Sequence, residues 1–292
     1  MAQKDPRSAG NQPPQPPQAQ SAPALEAEMT PAPDYGLTSY KGLGRLKGRV
    51  ALVTGGDSGI GRAVCLAFAR EGADVAFGYL NEDQDAEVTR RVVEESGHQV
   101  VSFRGDLTDE AVCRRLIEDT VKRFGRIDIL VNNAAYQGKA VEKFEEITAE
   151  RLERTFRTNI LAMFHLVRYA LPHMKQGSTI INTASIQAYQ PSPSILDYAS
   201  TKGAIVTFTK GLAQELIGRG IRVNCVAPGP VWTPIIPASY DAEKVKSFGE
   251  SNPTGRAGQP VELAPSFVFL ASDESTYVNG EVLGVTGGKL LA

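Results

Sequence analysis

Tyr198 and Lys202 stand four residues apart in the stretch Tyr198-Ala199-Ser200-Thr201-Lys202. At 3.6 residues per turn, positions i and i+4 of a helix face the same way, so the ammonium can lie beside the phenol. A cation there stabilises the tyrosinate and draws the phenol pKa from about 10 toward working pH. A phenol tuned in this way can give a proton to a substrate oxygen or take one from it. The same spacing also describes an ordinary solvated helix face, so the neighbouring motifs decide.

A second motif supplies a place for a phosphate. Thr54-Gly55-Gly56-Asp57-Ser58-Gly59-Ile60-Gly61 follows an apolar run directly and opens a helical stretch. Glycines allow a tight turn and let a phosphate approach backbone N–H groups at the helix N-terminus, where the dipole favours an anion. In a strand–turn–helix context this favours a dinucleotide site over an unliganded loop. The spacing is Gly-x-x-x-Gly-x-Gly.

Both motifs need a scaffold, and the hydrophobic pattern describes one. Apolar runs of strand length lie at 50–54, 74–79, 99–103, 128–132, 179–185, 222–227 and 281–285. Amphipathic helical stretches separate them at 60–71, 84–96, 109–124, 148–175, 197–218 and 261–272. Short, nearly continuous β-branched runs alternating with helices predict a parallel sheet covered on both faces. The expected fold is α/β: one doubly wound Rossmann-type domain over residues 49–292, with seven parallel strands and ligands beyond their carboxyl ends.

Composition narrows the function. A formal net charge of −2 argues against nucleic acid or an anionic membrane as the main partner. Three separated cysteines, Cys65, Cys113 and Cys225, suggest neither a disulfide framework nor a zinc site. There is no run of about eighteen apolar residues and no signal-peptide core, so the cytoplasm is the default location. Residues 1–33 hold eight of the eighteen prolines and few large apolar side chains, which predicts a disordered tail. Residues 34–48, with two tyrosines and leucines among glycines, read as an extended arm that packs on the domain or on a neighbouring subunit.

Further residues fall into register with these. Asn132-Asn133-Ala134-Ala135 ends the fourth apolar run, Asn159 lies in the long helix, Ser185 ends the fifth run, and Pro228-Gly229 closes the sixth. With the glycine-rich turn, Tyr198 and Lys202, this order resembles the short-chain dehydrogenase/reductase family from about residue 46 to the end. The segments Asp34-Tyr35-Gly36 and Gly56-Asp57-Ser58 are similar to its bacterial general-stress or glucose/ribitol-dehydrogenase-like subgroup. The resemblance implies an NAD(P)-dependent oxidoreductase that interconverts an alcohol and a ketone or aldehyde. It implies Tyr198 as proton donor and acceptor, Lys202 lowering its pKa and holding the nicotinamide ribose, and Ser185 orienting the substrate oxygen. Asn159 would hold a water in a proton relay.

The resemblance also implies a cofactor path. It runs along Gly55, Asp57, Ser58, Gly59, Ile60 and Gly61, then Tyr79, Asp106, Leu107, Asn133 and Ala134. On the nicotinamide side it takes in Tyr198, Lys202, Pro228, Gly229, Val231 and Thr233. An acid ending the second strand would select NAD and a nearby arginine NADP. Tyr79 holds that position, and Asp57, Glu82 and Asp83 would repel an added phosphate, which tilts the expectation to NAD. Arg62 and Arg104 keep NADP open. Ser185, Gln187, Tyr189 and Trp232 are the expected substrate-pocket residues, in a lining that suits a small neutral carbonyl compound or polyol. The segment after Pro228 could serve as a semi-mobile lid. A non-catalytic dinucleotide sensor is the alternative, although such proteins typically lose the tyrosine and lysine. Family members are usually dimers or tetramers built through the long helices, so a homodimer or homotetramer is expected.

Overall fold

The computed structural model describes residues 5–291. Seven strands are present among them: β1 Val50–Thr54, β2 Asp74–Tyr79, β3 Val100–Arg104, β4 Ile129–Asn132, β5 Thr179–Thr183, β6 Arg222–Pro228 and β7 Val282–Val285. They form one sheet in the order β3-β2-β1-β4-β5-β6-β7, with every pair parallel. The chain winds outward from β1 to β3, then returns to lay β4 against the free side of β1. That reversal opens a crevice beyond the carboxyl ends of β1 and β4, the usual ligand position in such sheets.

The helices are α1 Gly59–Arg70, α2 Asp83–Glu94, α3 Glu110–Phe124, α4 Ala149–Phe156, α5 Ala162–Ala170 and α6 Leu196–Leu216. Two short ones, α7 Ile235–Ser239 and α8 Ala242–Lys246, precede α9 Pro260–Ala271. The pleat of β1 separates the two cores. Ala51 and Val53 face α1 and α9, joining Phe68, Phe77 and Phe267, while Leu52 faces the other way to Ile117, Leu130, Leu166 and Leu216. Burial on both faces is why these strands read as continuous apolar runs. Among the described residues no helix is long and apolar enough to cross a membrane.

The expected single helix over 148–175 is interrupted. Between α4 and α5 lies a π-helical turn, Arg157–Leu161, with Asn159 at its centre. Such turns insert one residue into a helix and occur frequently at functional sites.

Residues 34–48 pack on their own domain. Glu71, at the end of α1, accepts from the Tyr40 hydroxyl at 2.6 Å, from the Leu43 and Arg45 amides at 2.8 and 3.0 Å, and from the Arg45 guanidinium. Leu46 is fully buried, and Arg70 donates to the carbonyls of Gly36, Leu37 and Tyr40.

The tail differs from its expectation, whose first four residues lie outside the described ones. Instead of disorder, residues 5–33 run along the domain surface. Gln15 N donates to the Lys246 carbonyl and Gln20 N to that of Pro237, both at 2.8 Å. Met29 is buried with Trp232, Ile236, Val245 and Ala257. The compositional argument fails here because the tail builds no core of its own. It places a few side chains into one the domain already has.

Candidate active site

The turn after β1 is shaped by residues that only glycine suits. Gly55 and Gly59 have φ of +63° and +52°, in the left-handed region. A methyl at Gly61 would run into the Gly55 carbonyl, so the strand and the start of α1 meet backbone to backbone. The Thr54 hydroxyl accepts from the Asn133 and Ala134 amides, both at 3.0 Å. The Asn133 side chain donates to the Thr54 and Gly55 carbonyls at 3.1 and 3.2 Å and accepts from the Thr183 hydroxyl at 3.4 Å. These bonds tie the ends of β1, β4 and β5 into one rim.

The rim borders a cleft of about 360 Å³. Gly55, Asp57, Ser58, Gly59 and Ile60 line it, followed by Tyr79, Asp106, Leu107, Asn133 and Ala134. Pro228, Gly229, Val231 and Thr233 form the facing wall, and Gly61 sits behind the turn rather than in the lining. The glycine cradle, which side chains would fill, and its position at the sheet's reversal fit a dinucleotide. Leu80 and Glu82 also line the adenosine end and were not among the expected contacts. Burial pushes the Asp57 carboxyl up to about 7, helped by the negative Glu82. Tyr79 is pushed up to about 12 by burial and by Asp83, to which its hydroxyl donates at 2.9 Å. Arg104 is spent on Asp83 at 2.8 Å. Arg62 is buried, paired with Glu26 and Asp85.

Ser185, Tyr198 and Lys202 line the same cleft. Asp197, in the first turn of α6, takes a two-pronged bond from Arg151 at 2.9 and 2.7 Å and a third from Thr155. The carboxylate suits the helix N-terminus and anchors α6 to α4 one residue before Tyr198. Lys202 is buried; its ammonium donates to the Thr183 carbonyl at 2.8 Å and lies 5.2 Å from the centre of the Tyr198 ring. The expected direction of tuning does not appear in this geometry. Burial raises Tyr198 well above the ordinary phenol value, and the Ser185 hydroxyl is the group pulling it down. Burial also lowers Lys202, to about 8. Two desolvated groups each resist their own charged form, and the lysine's partner is a carbonyl rather than the phenol.

Asn159 is buried just outside the cleft. Its side chain accepts from Tyr136 N at 2.7 Å and donates to the Tyr136 carbonyl and the Thr201 hydroxyl, both at 3.0 Å. It therefore braces the cleft wall and the residue preceding Lys202.

The substrate end corrects two expectations. Ser185 and Gln187 line it, but Tyr189 and Trp232 do not. Trp232 is 1% exposed, packed on Met29 and Ile236, and its indole donates to the Pro31 carbonyl at 2.8 Å. The ring is claimed by the tail instead of facing the cleft. Tyr189 follows the short 3-10 turn Ile186–Ala188, which rotates it out of line with Ser185. In their place come Tyr136, Gln137, Tyr240 and Phe248, together with Arg154 and Lys289. Nothing local marks these residues; they come from four separate parts of the chain. Arg154 packs 4.6 Å from the centre of the Tyr136 ring.

Comparison with known proteins gives consistent matches. The family described as enoyl-(acyl carrier protein) reductase matches residues 55–289. General stress protein 39 of Bacillus subtilis (strain 168) is 51% identical over 277 residues, covering 94% of this chain and 96% of that protein. Glucose and ribitol dehydrogenase of Daucus carota is 51% identical over 290 residues, covering 97% and 99%. Among solved structures, a short chain dehydrogenase from Burkholderia cenocepacia J2315 in complex with NADP superposes with a TM-score of 0.79 at 32% identity, covering 84% of this chain and 98% of that one.

Proposed function

The chain belongs to the short-chain dehydrogenase/reductase family, and from that premise we propose that it interconverts a small polyol and its ketone or aldehyde, with Tyr198 as acid and base. It is an oxidoreductase that uses a nicotinamide dinucleotide. The observation that carries the reading is the presence of Tyr198, Ser185 and Lys202 in one cleft with the glycine-rich turn.

Bound in that cleft, the nicotinamide supplies the two-electron transfer at the carbinol carbon. The Ser185 hydroxyl orients the substrate oxygen and favours ionisation of Tyr198. Tyr198 gives its proton to the oxygen in reduction and takes it in oxidation. Lys202 brings the positive charge that offsets the tyrosinate, and Asn159, bonded to Thr201, sits on the path by which that proton is replaced. At the adenosine end Asp57, Glu82 and Asp106 line the wall while Arg62 and Arg104 are paired elsewhere, which supports NAD over NADP. The NADP held by the Burkholderia neighbour points the other way. The substrate end carries one feature that favours a second reading: Arg154 and Lys289 line it, and among the described residues neither is paired with a carboxylate, which suits a substrate bearing an acid group.

Absorbance at 340 nm, with polyols, aldoses, ketones and sugar acids and with each nucleotide, tests these readings together. Turnover of neutral polyols is expected, with a lower KM for NAD than for NADP. Tyr198→Phe should lower kcat/KM by about 10³-fold, within the range for a lost acid–base group, in a protein that still binds nucleotide. Full activity in that variant would remove Tyr198 from the chemistry. Nucleotide binding without turnover of any compound would point to the sensor.

A further inference from the structure

We propose that residues 15–31 are a strap that closes the cofactor cleft on its solvent side and must lift for the dinucleotide to enter and leave, with Glu26 as its latch. The inference rests on the dinucleotide reading of the cleft.

The segment is fixed to both flanks of the cleft and contributes to its wall between them. On the nicotinamide flank it holds residues 232–246: Gln15 and Gln20 bond the Lys246 and Pro237 carbonyls, Met29 fills the cluster around Trp232, and the Pro31 carbonyl takes the indole N–H. On the phosphate flank the Glu26 carboxylate accepts from Gly59 N at 2.5 Å, at the first residue of α1, and pairs with Arg62. Glu26 N in turn donates to Asp85 at 2.7 Å. Glu26 is only 3% exposed. Between the anchors, Ala22, Pro23 and Ala24 line the cleft itself.

Two physical features make this closure reversible. A carboxylate already occupies an N–H of the helix terminus whose field would attract the diphosphate, so the latch and an incoming anion are set against each other. The strap's prolines also restrict the free chain, so docking loses little conformational entropy and a handful of contacts suffices to hold it. Lifting it uncovers Met29 and the Trp232 face it packs on and breaks the Glu26–Arg62 pair while every core helix stays folded, a local opening beside unfolding of any of those helices.

Stopped-flow fluorescence of NADH and NADPH binding tests the strap in the full chain, in Glu26→Ala, and in a protein lacking residues 1–33. Association and dissociation rate constants are expected to rise at least tenfold in both variants. Hydrogen exchange of the nucleotide-free proteins should accelerate across 55–61 and 232–248. Rate constants within twofold of the full chain would overturn the strap; if the truncated protein does not fold, Glu26→Ala alone decides. Should none of the three proteins bind either nucleotide, the dinucleotide reading fails. Exchange then judges the strap by itself, and unchanged protection in both segments overturns it.

Discussion

Lys202 loses its charge only a little above neutral pH, at the end of the cleft that holds Tyr198 and Ser185. Burial lowers its ammonium to about 8, so the charge is held below that pH and lost above it. Tyr198 lies on the other side of the problem, since burial keeps its proton in place well past neutrality. In carbonyl reduction the phenol is therefore ready to donate over the whole neutral range, and the cation that must offset the departing proton is the limiting group. Log kcat/KM for reduction is expected to be level below pH 8 and to fall above it. Lys202→Arg should lower the plateau but remove the break, because a guanidinium keeps its charge to pH 12 and beyond. A break at the same pH in the arginine variant would assign it to another group. That Ser185, Tyr198 and Lys202 share one cleft was legible in the sequence, because they follow the fifth strand and open α6, whose periodicity is clear; the roles proposed for them come from the family resemblance. Their pKa directions were not legible, since i,i+4 spacing says nothing about desolvation or about the Thr183 carbonyl that holds the ammonium.

At the scale of elements, strands and helices followed from hydrophobic period, because β1, β4, β5 and β6 are buried on both faces and α3 is bounded by Asp109 at its start and Gly125 at its end. The π turn at Arg157–Leu161 was not legible, as an inserted residue shifts the helical pattern by only one position. Arg154, Tyr240 and Lys289 escaped for another reason: a pocket assembled from distant segments leaves no local pattern. The arm at 34–48 was visible as a segment, but not the group that holds it. That group is Glu71, whose side chain is fully buried. Burial pushes its carboxyl up, and Arg45, Tyr40 and two backbone amides pull it further down, to about 2. The folded value lies below the unfolded one, so the carboxylate stabilises above the unfolded pKa of about 4.5, and its contribution is lost as pH falls toward 2. Glu71→Gln removes the buried partner of Arg45, leaving it only the 3.6 Å contact with the exposed Glu274, and is expected to cost about 3 kcal/mol near pH 7, with a smaller penalty near pH 3. Denaturant unfolding at the two pH values measures both, and equal penalties would show that the ionised form is not what holds the arm.

At the scale of the whole molecule, α5 and α6, the second of which carries Tyr198 and Lys202, also present an exposed apolar face. Phe164 is 53% exposed on α5 and Leu161, one turn before it, is 45% exposed. Phe164 meets the half-buried Phe208 of α6 with ring centroids 4.4 Å apart and the rings tilted by 52°, so the exposed ring rests on one that reaches the core. The opposite sides of these helices are already used: Leu166, Val167 and Ala170 of α5 and Ala213 and Leu216 of α6 enter the core. Helices apolar on two sides need a second partner, and a patch of this kind on a folded domain marks an association site. We propose that the partner is a second copy of this chain, which makes the contact self-complementary about a two-fold axis. Sedimentation equilibrium should then give a dimer or a dimer of dimers for the full chain. Phe164→Glu, which leaves the core residues untouched, should move the mass toward the monomer while keeping far-ultraviolet circular dichroism unchanged. Because α4 to α6 hold Asn159, Tyr198 and Lys202, loss of the partner should also lower kcat more than it raises KM. A full chain that sediments as a monomer would leave the aromatic face without this role and α4 to α6 supported by their own domain alone.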